Sequence, residues 1–249
     1  IHFMNQLYKV ACNTMRNLFS KRLGLVIFFF GLMGLIKAQN VTVQGTVGGP
    51  TSFATLKAAF DGINAGTFTG VITVTVTGNT TETATAQLNP GTVAPANWSS
   101  MSIKPSGGAR TITGNISTAL VKLLGSDNVT IDGDITGVRS LSFVNTSSTT
   151  TSGVVWIGSS SSTDGANNNT IKNCIVTGSG ATSTLVGIAQ TSGTTLGGVA
   201  ENQNSNNTYQ NNQVSLCQFG IGIQGPAAGN EDNTTNINSN NINTLGRAG

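Results

Sequence analysis

Charge and aromatic rings are the scarcest materials in this 249-residue chain: 8% of its residues are Asp, Glu, Lys or Arg and 6% are Phe, Trp or Tyr. So little charge is not the signature of disorder, because chains that stay unfolded combine high net charge with a lack of apolar clusters. Apolar clusters recur here. Histidine occurs once, at His2, so any mechanism placed later in the chain must do without the commonest general base and metal ligand near neutral pH. The longest apolar run, residues 23–36, has 14 residues. A helix needs roughly 20 to span a bilayer, which argues against a permanent membrane span.

That run instead completes an export signal. Residues 15–38 carry a basic start (Arg16, Lys21, Arg22), the apolar run, and a small residue, Ala38, after which cleavage is expected. Residues 1–14 then read as an upstream extension or a misassigned start, with Met15 as the first residue proper. Five of the twelve Lys and Arg lie in residues 1–38 and none of the nine Asp and Glu do, so the remainder holds seven basic and nine acidic residues. Its net charge is −2, against +3 for the whole chain. The basic balance thus belongs to the export signal, and the electrostatic footprint of a nucleic-acid binder is missing.

What remains is rich in Gly, Ser, Thr and Asn, interrupted by short clusters of Val, Ile and Leu. This is the alphabet of strands and turns. Residues 51–66 are the exception: apolar residues at 53, 56, 60 and 63 share a helical face, with Thr51 or Ser52 as cap and Gly62 and Gly66 as stops. From residue 71 the period becomes two, placing Ile72, Val74 and Val76 on one side of a strand. Short strands follow at 101–104, 111–113, 120–124, 129–132, 141–144 and 154–157, and later ones near Ile171, Val176, Ile188, Val214, Ile221, Ile237 and Ile242.

One pattern returns three times: Ile171-x-x-Cys174-x-Val176, Tyr209-x-x-Asn212-x-Val214 and Ile237-x-x-Asn240-x-Ile242, with starts 38 and then 28 residues apart. Recurrence at a few tens of residues points to a solenoid whose circuits stack on a shared core. Asparagine supports this: 8 lie in residues 39–166 and 17 in residues 167–249. Asn tolerates the left-handed backbone and its amide can bond its equivalent one circuit on. Hexapeptide and calcium-binding nonapeptide repeats are missing, which leaves rungs of three short strands.

Cys174 and Cys217 are the cysteines beyond the export signal. The repeat alignment sets Cys174 beside Asn212 and leaves Cys217 on the following strand. Aligning Val214-x-x-Cys217-x-Phe219 instead would bring the two together, and bridging needs Cα atoms within about 7 Å. Two buried thiols and a disulfide both remain open on the sequence.

Residues 52–64, 71–79, 102–114 (SIKPSGGARTITG), 126–133 (SDNVTIDG) and 168–174 (NNTIKNC) resemble the secreted right-handed parallel β-helix proteins of Bacteroidetes, within the pectate-lyase-like superfamily. The resemblance implies an all-β, right-handed parallel β-helix over residues 71–249 with three-strand rungs. An N-terminal strand and capping α-helix would occupy residues 39–70. It further implies an exported protein, extracellular or at the outer cell surface. Many members carry a C-terminal sorting domain for type IX secretion; none is recognisable here, and the chain is expected to continue beyond Gly249.

Two activities follow. Relatives that cleave acidic polysaccharides make a lyase or hydrolase conceivable, with Asp127, Asp132 and Asp134 as carboxylates, Arg110 or Arg139 as the basic partner, and Ca2+ as cofactor in that case alone. Asp127-Asn128 and Asp132-Gly133 also read simply as turn pairs bounding a strand. The favoured expectation is therefore a non-catalytic, adhesin-like or glycan-binding scaffold. It needs no metal or cofactor, and its partner is an extracellular polysaccharide or host glycan. Trp98, in a loop-like and exposed Pro/Ala/Asn/Ser stretch, and Trp156, in a core or half-buried strand, are the rings that could stack on sugar.

Overall fold

The computed structural model describes residues 13–17 and 38–246. The chain divides into two units, Ile1–Ala38 and Gln39–Gly249. In the first, residues 13–17 form an exposed helical turn; the apolar run expected to belong to an export signal and His2 lie outside the described residues. Among the described residues no helix is long and apolar enough to cross a membrane.

The second unit is mostly β. It opens with β1 (Val41–Gln44), β2 (Thr51–Phe53) and helix α1 (Leu56–Asn64). The chain then visits three sheets in fixed rotation. The first circuit is β3 (Thr69–Val76), β4 (Thr80–Glu82) and β5 (Ala86–Leu88); the second is β6 (Asn97–Pro105), β7 (Arg110–Gly114) and β8 (Ala119–Leu124). In the third, a small hairpin of β10 (Asp134–Ile135) and β11 (Val138–Arg139) interrupts β9 (Val129–Asp132), β12 (Leu141–Asn145) and β13 (Gly153–Gly158). The fourth is β14 (Thr170–Lys172), β15 (Cys174–Thr177) and β16 (Val186–Thr191). The fifth is β17 (Thr208–Gln210), β18 (Gln213–Ser215) and β19 (Phe219–Ile223), and β20 (Asn236–Asn238) and β21 (Asn241–Ile242) begin a sixth.

First strands of successive circuits pair to form sheet A, second strands sheet B and third strands sheet C. All these pairings are parallel. β1 and β2 extend sheet A antiparallel at its N-terminal edge.

Register turns the apolar repeat into columns. Val74, Ile103, Ile131, Ile171 and Tyr209 lie side by side in sheet A; Ile112, Phe143, Val176 and Val214 in sheet B; Val121, Val155 and Ile188 in sheet C. All are fully buried in one core. Each such side chain contributes about 1.5–3 kcal/mol by leaving water. At the last circuit the columns reach Ile237 and Ile242, which are exposed.

The Cys/Asn position of the repeat is the corner between sheets A and B. The preceding residues, Asn173, Asn211 and Ser239, have φ of 56°, 52° and 55°. A short polar side chain tolerates this left-handed turn best. The Asn212 side-chain oxygen accepts from the Cys174 N–H at 3.1 Å, and the Asn240 oxygen accepts from the Asn212 N–H at 2.9 Å. A second ladder runs at the entry to sheet A, where Asn169 accepts from the Val129 N–H at 3.0 Å and Asn207 from the Asn169 N–H at 2.8 Å. These amides satisfy corner N–H groups that strand pairing leaves over, and burial makes that necessary.

Of the two cysteine alignments, the structure adopts the one that puts Ile171 beside Tyr209 and Val176 beside Val214. Both thiols are free and buried, and burial pushes their pKa values up, to about 12 for Cys174 and about 11 for Cys217.

The helix differs from its expected start. Thr51 and Ser52 belong to β2, paired with β1, and the cap is Thr55, whose hydroxyl accepts from the Ala58 N–H at 3.1 Å. Gly62 sits within α1, while Gly66, at φ 74°, follows its end as expected of a stop. Leu56, Ala59, Phe60 and Ile63 form the buried face of α1, which packs on β1, β2, β4 and β5. Strands β4 and β5 were not expected, because short Thr/Ala-rich segments carry no apolar alternation to reveal them.

Candidate functional site

Asp132 ends β9 at the corner of sheets A and B. Its neighbour in the next strand is Lys172, whose ammonium lies 3.4 Å away; that of Lys104, from the circuit before, lies 3.8 Å away. The carboxylate also accepts from the Asn173 amide at 2.8 Å and from the Asp134 N–H at 3.1 Å. Burial alone would raise its pKa, but those two hydrogen bonds and the Lys172 charge outweigh it and hold Asp132 below the ordinary carboxylate range.

The network continues up the corner. Asn211 donates to Asn173 at 2.7 Å, and Arg139 donates to the Asn211 carbonyl at 2.6 Å and to its side-chain oxygen at 2.5 Å. Arg139 thus bridges from the hairpin of the third circuit to the fifth. Asp134 faces it across the hairpin. Arg110, at the same corner one circuit earlier, donates to the Ser106 carbonyl at 2.8 Å.

Asp127 lies two residues before the start of β9. Its carboxylate accepts from the Asn167 N–H at 2.6 Å, and burial raises its pKa. The extended strand Val129–Asp132 by itself sets its two ends roughly 10 Å apart at about 3.3 Å per residue, and the left-handed turn at Asn128 (φ 59°) lies between Asp127 and that strand. Paired glycosidase carboxylates work about 5–10 Å apart. Asp132, Asp134 and Arg139 thus share the corner, Arg110 is bonded within its own turn one circuit earlier, and Asp127 lies before the strand's other end. Asp132 itself is kept ionised, the wrong state for a general acid. Among the described residues no three of His, Cys, Asp and Glu group to hold a metal ion.

The two tryptophans present no open ring. Trp98 is 4% exposed, a correction of the loop reading: β6 already begins at Asn97, and Trp98 pairs with Gly70 of β3 and joins the core. Trp156 is 5% exposed, on the outer face of sheet C. Its register neighbours there are Lys122, Ala189 and, further on, Gly222. The Trp156 indole N–H donates to the Ser192 carbonyl at 2.9 Å, and the Lys122 ammonium sits 4.0 Å from the ring centroid while donating to the Gly193 carbonyl at 2.6 Å. A cation held over an indole face is favourable by about 0.5–2 kcal/mol.

Residues 192–200 cover this face, and Glu201 fastens them. Its carboxylate accepts from the hydroxyls of Ser192 (2.5 Å), Ser159 (2.7 Å) and Thr194 (2.9 Å) and from the Gly193 N–H (2.8 Å). A Cβ on Gly193 would stand 1.8 Å from the Ser159 carbonyl oxygen, so only glycine fits beneath the carboxylate. Burial opposes ionisation of Glu201, but the four hydrogen bonds prevail and bring its pKa down to about 2.

A folded-state pKa below the unfolded one adds stability above the unfolded value, near pH 4.5, and that contribution fades as pH falls through about 2. Acidification across this window is expected to free the loop and shift Trp156 emission to the red in a Trp98→Phe background. Glu201→Gln should show the freed-loop spectrum already at pH 6, with little further change on acidification. An unchanged neutral spectrum in that variant would mean that the carboxylate does not hold the loop.

Beside the loop, sheet C has an open cavity of about 290 Å³. Leu196 and Gly197 of the loop form one wall and Phe219 of β19 contributes to its lining, with Val186, Ala189 and Gly222 from the adjoining strands. The sequence offered no signal for it, since its residues come from two circuits and a loop of small polar residues. Glu201 could have been noticed only because carboxylates are so few. No protein family matches the chain, and neither does any curated protein or any solved structure.

Proposed function

We propose that Gln39–Gly249 winds as a right-handed parallel β-helix and serves, after export to the outer surface, as a non-catalytic scaffold that binds glycans. The rotation of the chain through three parallel sheets supports the winding, and parallel crossover connections are right-handed in about 98% of cases. Antiparallel β1 and β2, together with α1, would close its first end.

One observation carries the non-catalytic reading: three of the side chains that an enzyme of this type would use, Asp127, Asp132 and Arg139, are engaged in joining circuits. Asp132 holds Lys172, Asn173 and the hairpin, Arg139 holds Asn211, and Asp127 holds Asn167. The binding reading rests on the outer face of sheet C, where an apolar cavity with hydrogen-bonding groups at its margin matches the ordinary chemistry of sugar recognition.

Two measurements on the full chain test the proposal together. On an array of extracellular bacterial and host glycans it should retain a defined subset. Incubated with polygalacturonate or alginate, with and without Ca2+, it should release neither unsaturated uronates nor new reducing ends. Cleavage that is lost in Asp132→Asn would replace the scaffold reading by the lyase or hydrolase one, and an empty array would remove the glycan reading.

A further inference from the structure

Charge is scarce in the stacked circuits and unevenly placed. The turns that lead from sheet C to sheet A at residues 125–128, 159–169 and 224–235 carry Asp127, Asp164, Glu231 and Asp232 and no Lys or Arg. The passage from sheet A to sheet B carries Lys104, Arg110, Arg139 and Lys172 against Asp132 and Asp134. The other described charges of the stack are matched within the chain: Lys57 with Asp61 at 2.7 Å, Lys122 with the nearby Glu201, and Glu82 with the first N–H groups of α1. Opposite net charge is therefore left on the two sides of sheet A, negative where its strands begin and positive where they end.

The two sides also coincide in height. Asp164 precedes β14 and Lys172 ends it, while Asp127 precedes β9 and Arg139 lies in the hairpin that follows β9. Asp127 and Asp164 are near enough that the Asp164 charge adds to the upward shift that burial gives the Asp127 pKa. Between the two sides, Ser102, Thr130, Thr170 and Thr208 form an uncharged column of register neighbours. They are half-buried and alternate with the buried Ile103, Ile131, Ile171 and Tyr209, so they face outward.

A two-fold axis running along the stack in front of sheet A leaves height unchanged and exchanges the two sides. It sets the acidic side of each copy against the basic side of the other, circuit for circuit, and closes the hydroxyl column between them. Such a contact is isologous and ends at two copies. We infer that the outer face of sheet A is the interface of a homodimer, with Asp164 of each copy facing Lys172 of the partner subunit. A polymer of one sign fits less well, because one side of the face repels it while the other attracts it. This interface needs no glycan, so it stands or falls independently of the binding reading.

Sedimentation velocity on the full chain tests it. A monomer–dimer equilibrium is expected, weakened about tenfold when NaCl rises from about 0.05 to about 0.5 M, because exposed charge pairs are screened. Asp164→Lys and Lys172→Glu should each weaken the dimer about tenfold by setting like charges together. The chain carrying both substitutions should regain it to within about threefold, because the exchange restores opposite signs across the axis. Thr130→Arg places a long cationic side chain in the middle of the face and should leave the protein monomeric. Far-UV circular dichroism should be unchanged in every variant, which separates loss of the interface from loss of the fold.

A wild-type chain that stays monomeric at low salt overturns the inference, as does a dimer that tolerates Thr130→Arg or either charge reversal. A double variant that fails to regain the dimer overturns it too. Species larger than a dimer overturn it in favour of side-by-side rows. A monomer retained on dextran sulfate, and released by Lys104→Glu, overturns it in favour of an anionic polymer on the basic side.

Discussion

Asn212→Ala is expected to destabilise the last circuits by about 3 kcal/mol, because it leaves several buried polar groups without partners at once. The Asn212 oxygen accepts from the Cys174 N–H, and its amide donates to the Ile171 carbonyl at 2.8 Å and to Asn240 at 3.1 Å. Alanine removes every one of these bonds while Cys174 and Ile171 stay in the core. Asn212→Asp keeps the acceptor for Cys174 but sets a buried carboxylate oxygen against the Ile171 carbonyl and the Asn240 oxygen, so it should cost at least as much as alanine near neutral pH. In stacked circuits stability is nearly a sum of neighbouring contacts, so the loss should be local. Amide hydrogen exchange should quicken first at Cys174 and in β17 and β18, with the N-terminal circuits nearly unaffected. If exchange at Cys174 stays slow in Asn212→Ala, the ladder is not what holds this corner.

Glu82→Ala should have the other large effect, at the opposite end of the stack. Glu82 lies in β4 and is 2% exposed, and its two carboxylate oxygens accept from the Leu56 and Lys57 N–H groups at 2.9 Å each. Those are the first two residues of α1, whose free N–H groups and positive dipole end favour an anion. Removing it leaves the start of the helix uncompensated against the end of the core and should cost about 3 kcal/mol. Glu82→Gln, with a single acceptor oxygen and no charge, should cost less than Glu82→Ala. Thr55→Ala, which removes only the side-chain cap, should cost about 1 kcal/mol. Urea unfolding followed by far-UV circular dichroism gives the order, and a Glu82→Ala loss no larger than that of Thr55→Ala would show that the carboxylate does not anchor the helix.

Both residues show what can be seen from the chain alone. Asn212 was visible as a member of a repeat, and its stacking partners, Cys174 and Asn240, followed from spacing, because a periodic chain places its own repeats in register. Glu82 was invisible. It lies in a short strand without apolar alternation, and the helix it caps begins 26 residues earlier. The same holds for Glu201 and the loop it fastens. Asp132 and Arg139 stood out in a charge-poor chain as candidate catalytic residues, but what they bond to could not be read: the hydrogen bonds that join them pass through Asn173 and Asn211, one and two circuits away.

Composition and period alone determined that the chain is a mostly β protein of short strands, with one amphipathic helix near its start and a core of repeated Val, Ile and Leu positions. Those are local properties, set by which side chains alternate, which turns Asn and Gly allow, and how often the pattern returns. Tertiary structure decided which polar groups are exposed and which are bonded within the fold. It closed both tryptophans, committed Asp127 and Asp132 to contacts between circuits, and opened a cavity lined by uncharged residues between β16, β19 and a loop. Exposure depends on what lies on top of a residue, and here the covering loop and the neighbouring circuits come from tens of residues away.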